Sequence, residues 1–334
     1  MPHVRSRLVV SAAAFGGLLL VTLAAAPLVG TTSISLARVF DRSLPFADNA
    51  DAQIFFVARL PRVLAAAVVG GSLALAGAIF QALLRNPLAT PDTLGVSSGA
   101  ALGAMLAIAF HFDFAVAGLS SVSLSSLAGS IGALGIVYML ATARRRGLST
   151  TVLLLAGVTM TAFFSALTLS VQYMTDFADA FRTVRWLMGA LDVGGYGPVI
   201  AALPLLAASA AMVATLPRPL DLISLGADSA SARGVNVERA ERLALVSASL
   251  VTGAAVSISG PVAFVGLVVP HMVRLVVGSD HRLVLPASAL FGATFLIGCD
   301  LIARTMFSPI ELPVGIITAV IGGPFFLWLL VRRT

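Results

Sequence analysis

Asp300 and Arg304 stand four residues apart inside an apolar run, acid before base. That order and spacing favours a helical ion pair. An ionisable residue within a membrane segment is a functional candidate by default, and a pair that only neutralises itself fits the same two residues. Gly95-Val96-Ser97-Ser98-Gly99 has the G-x-S-x-G spacing of a nucleophile elbow. Acyl-transfer chemistry at Ser97 would need a strand-to-helix turn. The motif lies between two apolar runs instead, where small residues packing a helix start account for it better. His271 and His281 lack a carboxylate or Cys at ligand spacing, so they make a poor metal site. Helix capping, with Asp280 pairing Arg282, is the better reading of that polar island. The single Cys299 cannot form an intrachain disulfide and reads as a small core residue. All 21 basic residues are Arg. Without Lys, neither a P-loop nor a Schiff-base nucleophile resides on this chain.

These residues are set in a very apolar background. Of 334 residues, 58% are hydrophobic and 11% charged, with mean hydropathy +1.01. Soluble domains carry about 25% charged residues, so the composition is that of a polytopic membrane protein. At roughly 20 residues per span, the length accommodates about ten spans and short loops. The net charge of +6 comes from arginines dispersed between apolar runs, which suits loops beside anionic lipid headgroups rather than nucleic acid. The first run, Leu8–Val29, follows Arg5 and Arg7. It is longer than a signal h-region of about 7–15 residues, so it reads as an uncleaved helix despite Ala24-Ala25-Ala26.

Breaks at Arg, Pro and Asp divide the rest. A polar connection, Gly30–Ala58, leads to helices at about Val63–Leu84, Leu94–Phe112 and Leu124–Thr142, the last ending on Arg144-Arg145-Arg146. Further helices follow at about Val152–Tyr173, Pro198–Leu216, Leu243–Ser259, Pro261–Val277, Leu285–Ile302 and Val314–Val331. The expected fold is an all-α membrane protein of ten helices in one domain, 1–334. With the N-terminus inside, inner arginines outnumber outer ones about two to one, which places both termini in the cytoplasm. Arg62-Val63-Leu64 and Arg242-Leu243-Ala244 start the second and seventh helices, a faint echo of the inverted repeats seen in transporters.

Small residues recur at four-residue spacing in Gly70 with Ala74, Ser72 with Ala76, and Gly99 with Gly103. This spacing lets membrane helices approach closely, so Arg59–Gly103 reads as a hairpin facing protein rather than lipid. The longest polar stretch on the inner side is Leu225–Leu243. Ser229–Ala232 suits a short helix, Gly234 ends it, and Val237–Leu243 suits another. A short helix lying under the membrane can dock a partner, and an ordinary solvated loop is the alternative. Arg182 and Arg185 read as snorkelling or pairing with Asp176 and Asp179.

Several stretches jointly match one family. They are Arg59-Leu-Pro-Arg62, Gln81 with Arg85-Asn-Pro-Leu-Ala89, Leu94-Gly-Val-Ser-Ser-Gly-Ala100, Leu153-Leu-Leu-Ala-Gly157 and Trp186-Leu-Met-Gly189. Later come the run from Gly260-Pro-Val to Pro270-His271, Gly278-Ser-Asp-His-Arg282, Glu311-Leu-Pro-Val-Gly315 and Gly323-Pro-Phe-Phe326. In order through nearly the whole chain, they resemble FecCD-type permeases, the membrane subunits of ABC importers for ferric siderophores, haem or vitamin B12. Ala190 departs from the family's more usual Ser or Gly.

The resemblance implies a type II ABC importer permease in the bacterial inner (plasma) membrane, working as a homodimer or paired dimer. It implies ten transmembrane helices and a path at the dimer axis, lined largely by the second and fifth. Arg59, Arg62 and Arg304 would receive acidic residues of a periplasmic or lipid-anchored substrate-binding protein. Asn86, Leu88, Thr150 and Thr151 would form the cytoplasmic gate. Gly70, Ala74, Gly77 and Gln81 would line the path. The 219–243 segment, through Asp228, Ala230, Arg233, Gly234 and Val235, would couple to a cytoplasmic ATPase subunit. ATP and Mg would sit on that partner, leaving this chain without a cofactor, a metal site or enzyme activity. The cargo would be an iron chelate, a ferric siderophore before haem or cobalamin. A proton-coupled secondary carrier remains the transporter alternative, with Asp300 its candidate carboxylate. An intramembrane hydrolase built on Ser97 is the enzyme alternative.

Overall fold

Pro61 shapes the segment around which the other helices pack. It has no N–H to donate to the carbonyl four residues back, and the helix before it opens into a π segment, Ile54–Arg59. The Leu60 N–H donates to the Phe55 carbonyl instead, and the freed Phe56 carbonyl accepts the Tyr196 hydroxyl at 2.7 Å. A computed structural model describes residues 2–116, 118–142 and 150–333. In chain order the helices are α1 (Pro2–Ala25), α2 (Leu36–Val39), α3 (Ala50–Gln53), α4 (Leu60–Leu83), α5 (Val96–Ala109), α6 (Ser121–Thr142) and α7 (Thr150–Met174). They continue with α8 (Phe177–Leu187), α9 (Gly197–Val213), α10 (Pro217–Ser224), α11 (Ala227–Ala232), α12 (Val237–Ser259), α13 (Val265–Val277), α14 (His281–Thr305) and α15 (Val314–Arg333). The all-α expectation needs one small amendment. Strands β1 (Ala115–Val116) and β2 (Leu119–Ser120) pair antiparallel, Ala115 opposite Ser120.

Six helices among the described residues are long and apolar enough to cross a membrane. They are Ser6–Leu28, Ala50–Leu83, Ser121–Thr142, Thr151–Met174, Val237–Ser259 and His281–Thr305. The pair α9 and α10, bent by 59°, makes a seventh if read as one span. Shorter apolar helices occupy Val96–Ala109, Val265–Val277 and Val314–Leu329. Every apolar run read from the sequence is thus helical. Several stretches differ from expectation: Val237–Leu243, read as a separate short helix, runs on unbroken to Ser259 as α12, and Pro217–Ser224, read as part of a polar segment, forms α10. Residues 50–58 are not part of a polar connection but extend α4 backwards, giving one 34-residue helix, Ala50–Leu83. Residues 177–187, read only as a charged stretch, form α8, whose N-cap Asp176 accepts the Asp179 N–H at 2.9 Å. Arg144, Arg145 and Arg146 lie outside the described residues.

The helix from Ala50 to Leu83 is central, with 78% of its apolar window buried. It packs against α14, α12 and α13, while α5 packs against α6 and α7. The expected close approaches occur. A Cβ on Gly70 would stand 2.2 Å from the Gly292 carbonyl oxygen of α14, and one on Gly103 2.0 Å from that of Ser125 on α6. The Arg59–Gly103 hairpin therefore faces protein. Helix α1 lies along α14, its Phe15 ring 5.7 Å from Phe291. The echo between the starts of α4 and α12 joins two buried helices that touch each other.

Candidate translocation and docking sites

Three arginines gather where α1 ends. Arg59 donates to the Pro27 and Leu28 carbonyls, both at 3.2 Å, and to Thr32. Arg304 donates to the Ala26 carbonyl at 2.6 Å. Both guanidinium groups thus satisfy carbonyls that a helix C-terminus leaves unpaired, where cations are favoured. Arg59 and Arg304 are 7% and 4% exposed, so neither can be touched by a protein arriving from outside. The reading of all three arginines as direct docking residues is corrected here: Arg59 and Arg304 hold the end of α1. Arg62, at 19%, reaches the surface. It bonds the buried Asp300 through Nε at 2.9 Å and meets the half-exposed Glu311. Arg304 Nε lies 3.8 Å from the other Asp300 oxygen. Asp300 is thus one carboxylate between two cations, not half of an isolated pair.

Backbone contacts at this same end bring together three of the quoted motifs. Gly189, at φ +71°, accepts the Gly315 N–H at 3.2 Å, and Ala190 N–H donates to Ser259 at 2.8 Å. A Cβ on Gly260 would stand 2.3 Å from the Trp186 carbonyl. Trp186-Leu-Met-Gly189, Gly260-Pro-Val and Pro313-Val-Gly315 therefore form one junction, where glycine lets backbones touch. Ala190 takes part through its N–H, which any residue but Pro offers. Arg182 pairs with Asp179 at 3.4 Å, as the sequence suggests, but Arg185 pairs with Asp192 at 3.1 Å because Asp176 is occupied as a cap.

The assigned path face of α4 also needs correction. Gly70, Ala74, Gly77 and Gln81 lie on one stripe, but it points into the chain. Ala74 is fully buried, and a Cβ on Gly77 would stand 1.9 Å from the Gly266 carbonyl of α13. Gln81 donates to that carbonyl at 3.1 Å and accepts from Arg274. Four-residue spacing of small residues marks a tight helix contact, and water cannot enter one. The half-exposed stripe of α4 is Leu64, Val68, Gly71 and Leu75. Helix α7 buries Leu153, Gly157, Phe164 and Thr168, and exposes Leu155, Val158, Thr159, Phe163 and Leu169.

At the opposite end of α4 the chain turns through Arg85, at φ +49°, and Asn86 Oδ1 accepts the Leu88 N–H at 2.9 Å. Leu88 is exposed and lines a small cleft with His271 and Phe325. The following turn, Pro91–Leu94, is pressed against α7, where a Cβ on Gly157 would stand 2.3 Å from the Thr93 carbonyl. Thr151 is exposed in the first turn of α7. Thr150 begins that helix, and its side chain lies outside the described ones. Ser97 starts α5 and donates to Asp92 rather than to a histidine, in a loop-to-helix turn rather than a strand-to-helix elbow.

On this side, too, lies the 219–243 segment. Gly226, at φ +119°, opens α11 and Gly234, at φ +80°, closes it. Asn236 caps α12 by accepting the Arg239 N–H at 3.0 Å. Ala230 is fully buried against Ile223 and Ala240, with Val235 packed beside them. A partner therefore cannot touch Ala230, which anchors the segment, while Asp228, Arg233 and Gly234 are exposed. The segment is also pinned to the bundle. Asp221 accepts the His281 backbone N–H at 3.0 Å and lies 2.6 Å from its Nδ1. That bond was not legible in sequence, because 60 residues separate the partners. Asp280 accepts the Arg282 N–H at 2.9 Å, so it caps α14 rather than pairing the Arg282 side chain. Among the described residues, no group of three or more His, Cys, Asp or Glu gathers as a metal site would.

Comparison with known proteins follows this architecture. The model of the FecCD transport family matches residues 18–332. A hemin transport system permease of Yersinia pestis is 40% identical over 307 residues, covering 91% of this chain and 90% of that one. A cobalamin import system permease of Halobacterium salinarum is 44% identical over 275 residues, covering 82% and 72%. Among solved structures, a metal-chelate type ABC transporter in an inward-facing conformation superposes with a TM-score of 0.84 at 33% identity. That match covers 96% of this chain and 98% of the other.

Proposed function

This chain belongs to the FecCD transport family, and on that basis we propose that it is the membrane permease of an ATP-driven importer of metal chelates. The observation that carries the reading is the near end-to-end match to a metal-chelate type ABC transporter chain. The cargo class is a ferric siderophore, haem or cobalamin. A second copy of this chain completes the path, and α7 with the half-exposed stripe of α4 borders it. The chain lies in the bacterial plasma membrane with both termini in the cytoplasm. A separate ATPase hydrolyses ATP, since no Lys is present for a P-loop. Reconstitution with the cognate ATPase and binding protein in proteoliposomes tests this. ATP-dependent uptake of one chelate is expected, and uptake driven by a proton gradient without the ATPase would overturn it.

In that reading, closure of the ATPase moves the α10–α11 segment. Its bond to His281 passes the displacement to α14, and its packing passes it to α4. Asp228 is exposed on α11, so Asp228→Arg is expected to weaken ATPase pull-down while the permease stays monodisperse; unchanged capture would remove α11 from the contact. Asn86, Leu88 and Thr151 stand at the inner end of the path as its gate. Thr151→Trp is expected to slow uptake at least tenfold with assembly intact, and wild-type uptake would take Thr151 out of the gate.

The binding protein meets the opposite end. Arg62 is the arginine it can reach, and Glu311 already occupies one of its nitrogens. Charge complementarity there guides encounter and register more than affinity. Glu311→Gln leaves Arg62 on Asp300 but frees its outer face. Binding-protein affinity is expected to rise roughly two- to fivefold, the range of an exposed ion pair. Unchanged or weaker binding would argue against Arg62 as a docking contact.

A further inference from the structure

A groove of about 790 Å³ opens where α9 bends into α10. Its two halves differ in chemistry. Ala208, Ala211 and Met212, on the last turns of α9, form an apolar wall within the span. Arg218 of α10, Arg233 after α11 and Arg239 in the first turn of α12 form the other half. No acidic residue lines it. The three arginines are exposed, and their guanidinium groups make no ion pair with any carboxylate of the described residues. The neighbouring Arg242 does, with Glu238 at 2.6 Å. The site therefore has three unpaired positive charges just beyond the point where two apolar spans end, in one groove with the apolar wall of α9.

We propose that this groove binds the headgroup of an anionic phospholipid, its acyl chain lying along Ala208, Ala211 and Met212. An arginine fork matches phosphate oxygens in planar, paired geometry, and basic pockets between helices at the membrane surface suit such headgroups. A soluble anion would use the arginines but not the apolar wall. A neutral lipid would use the wall but leave the arginines unmatched. Because Arg233 follows α11, a lipid held here touches the segment proposed to meet the ATPase. The inference itself rests only on the chain's lying in a membrane, not on cargo or ATPase.

Native mass spectrometry of the purified full-length chain, titrated with phosphatidylglycerol, tests it. One phosphatidylglycerol adduct should persist at concentrations where phosphatidylcholine gives none. The double variant Arg218→Gln/Arg239→Gln should lower its occupancy tenfold or more, as roughly expected for two interfacial arginines. Ala211→Trp, which fills the apolar wall and keeps all three charges, should lower it as well, with thermal unfolding of both variants confirming the fold. Equal retention of phosphatidylcholine, unchanged occupancy in either folded variant, or full competition by glycerol 3-phosphate would each overturn the proposal. Transport assays are not part of this readout, so its failure leaves the importer reading untouched.

Discussion

Asp300→Ala is expected to abolish accumulation of folded protein. Asp300 is 1% exposed and, among the described residues, is the buried carboxylate that both Arg62 and Arg304 meet. Removing it leaves Arg62 with the half-exposed Glu311 and leaves Arg304 on a single carbonyl. Breaking a buried ion pair by deleting one partner costs about 3–5 kcal/mol, because the remaining charge stays buried without compensation. The whole stability of a domain is about 5–15 kcal/mol. Fluorescence-detected size-exclusion chromatography of the tagged variant should show aggregate in place of the wild-type peak. A wild-type peak and melting temperature would mean that Asp300 is not what holds the cluster. The same experiment bears on the secondary-carrier reading. A proton relay would leave Asp300→Asn folded and inactive, whereas a structural anion leaves it destabilised as well.

The second large effect is expected at Gly77. A Cβ there would stand 1.9 Å from the Gly266 carbonyl oxygen and 2.6 Å from its Cα. Both atoms are backbone, so no side chain can rotate away and α4 and α13 must separate. Gln81, one turn on, would lose its bond to the same carbonyl. Overpacking a tight core costs typically about 1–3 kcal/mol, and backbone-on-backbone contact puts Gly77→Val at or above the top of that range. Gly298 is the control, since nothing lies within 4 Å of its Cβ position. Thermal unfolding should show a large drop for Gly77→Val and little change for Gly298→Ala. Equal behaviour of the two would mean that the α4–α13 contact does not depend on glycine.

Helices and packing were legible because both follow from local chemistry. An apolar run needs about 20 residues to cross a bilayer, and each break at Arg, Pro or Asp is local to its neighbours. Gly234 likewise announced the end of α11. The continuation of α4 back to Ala50 was missed because Asp48 and Asp51 made residues 30–58 look uniformly polar. Pro61 gave a signal that a widened helical turn could precede it.

Site assignments fared differently. Spacing paired Asp300 with Arg304, the family resemblance put Arg59, Arg62 and Arg304 on one face, and small-residue spacing placed Gly70 at a helix contact, whereas Gly77 was expected on the path. None of these says which face of a helix looks outward. An arginine at a membrane boundary can reach a partner or cap a neighbouring helix, and that choice depends on where α1 ends. Gly70 and Gly77 share a stripe, but only the positions of α13 and α14 decide that it is buried while Leu64 and Val68 are partly open.

The amino-acid sequence by itself determined an arginine-only, helical membrane chain, its turns, and the residues that let helices touch. Periodicity, breakers and caps act over one or two turns. The tertiary structure alone decided what each charge meets. Arg62 and Asp300, and Asp221 and His281, are brought together across long stretches of chain, and only the α9 bend turns three nearby arginines toward one groove. Their energies depend on distance and burial, which no local pattern encodes.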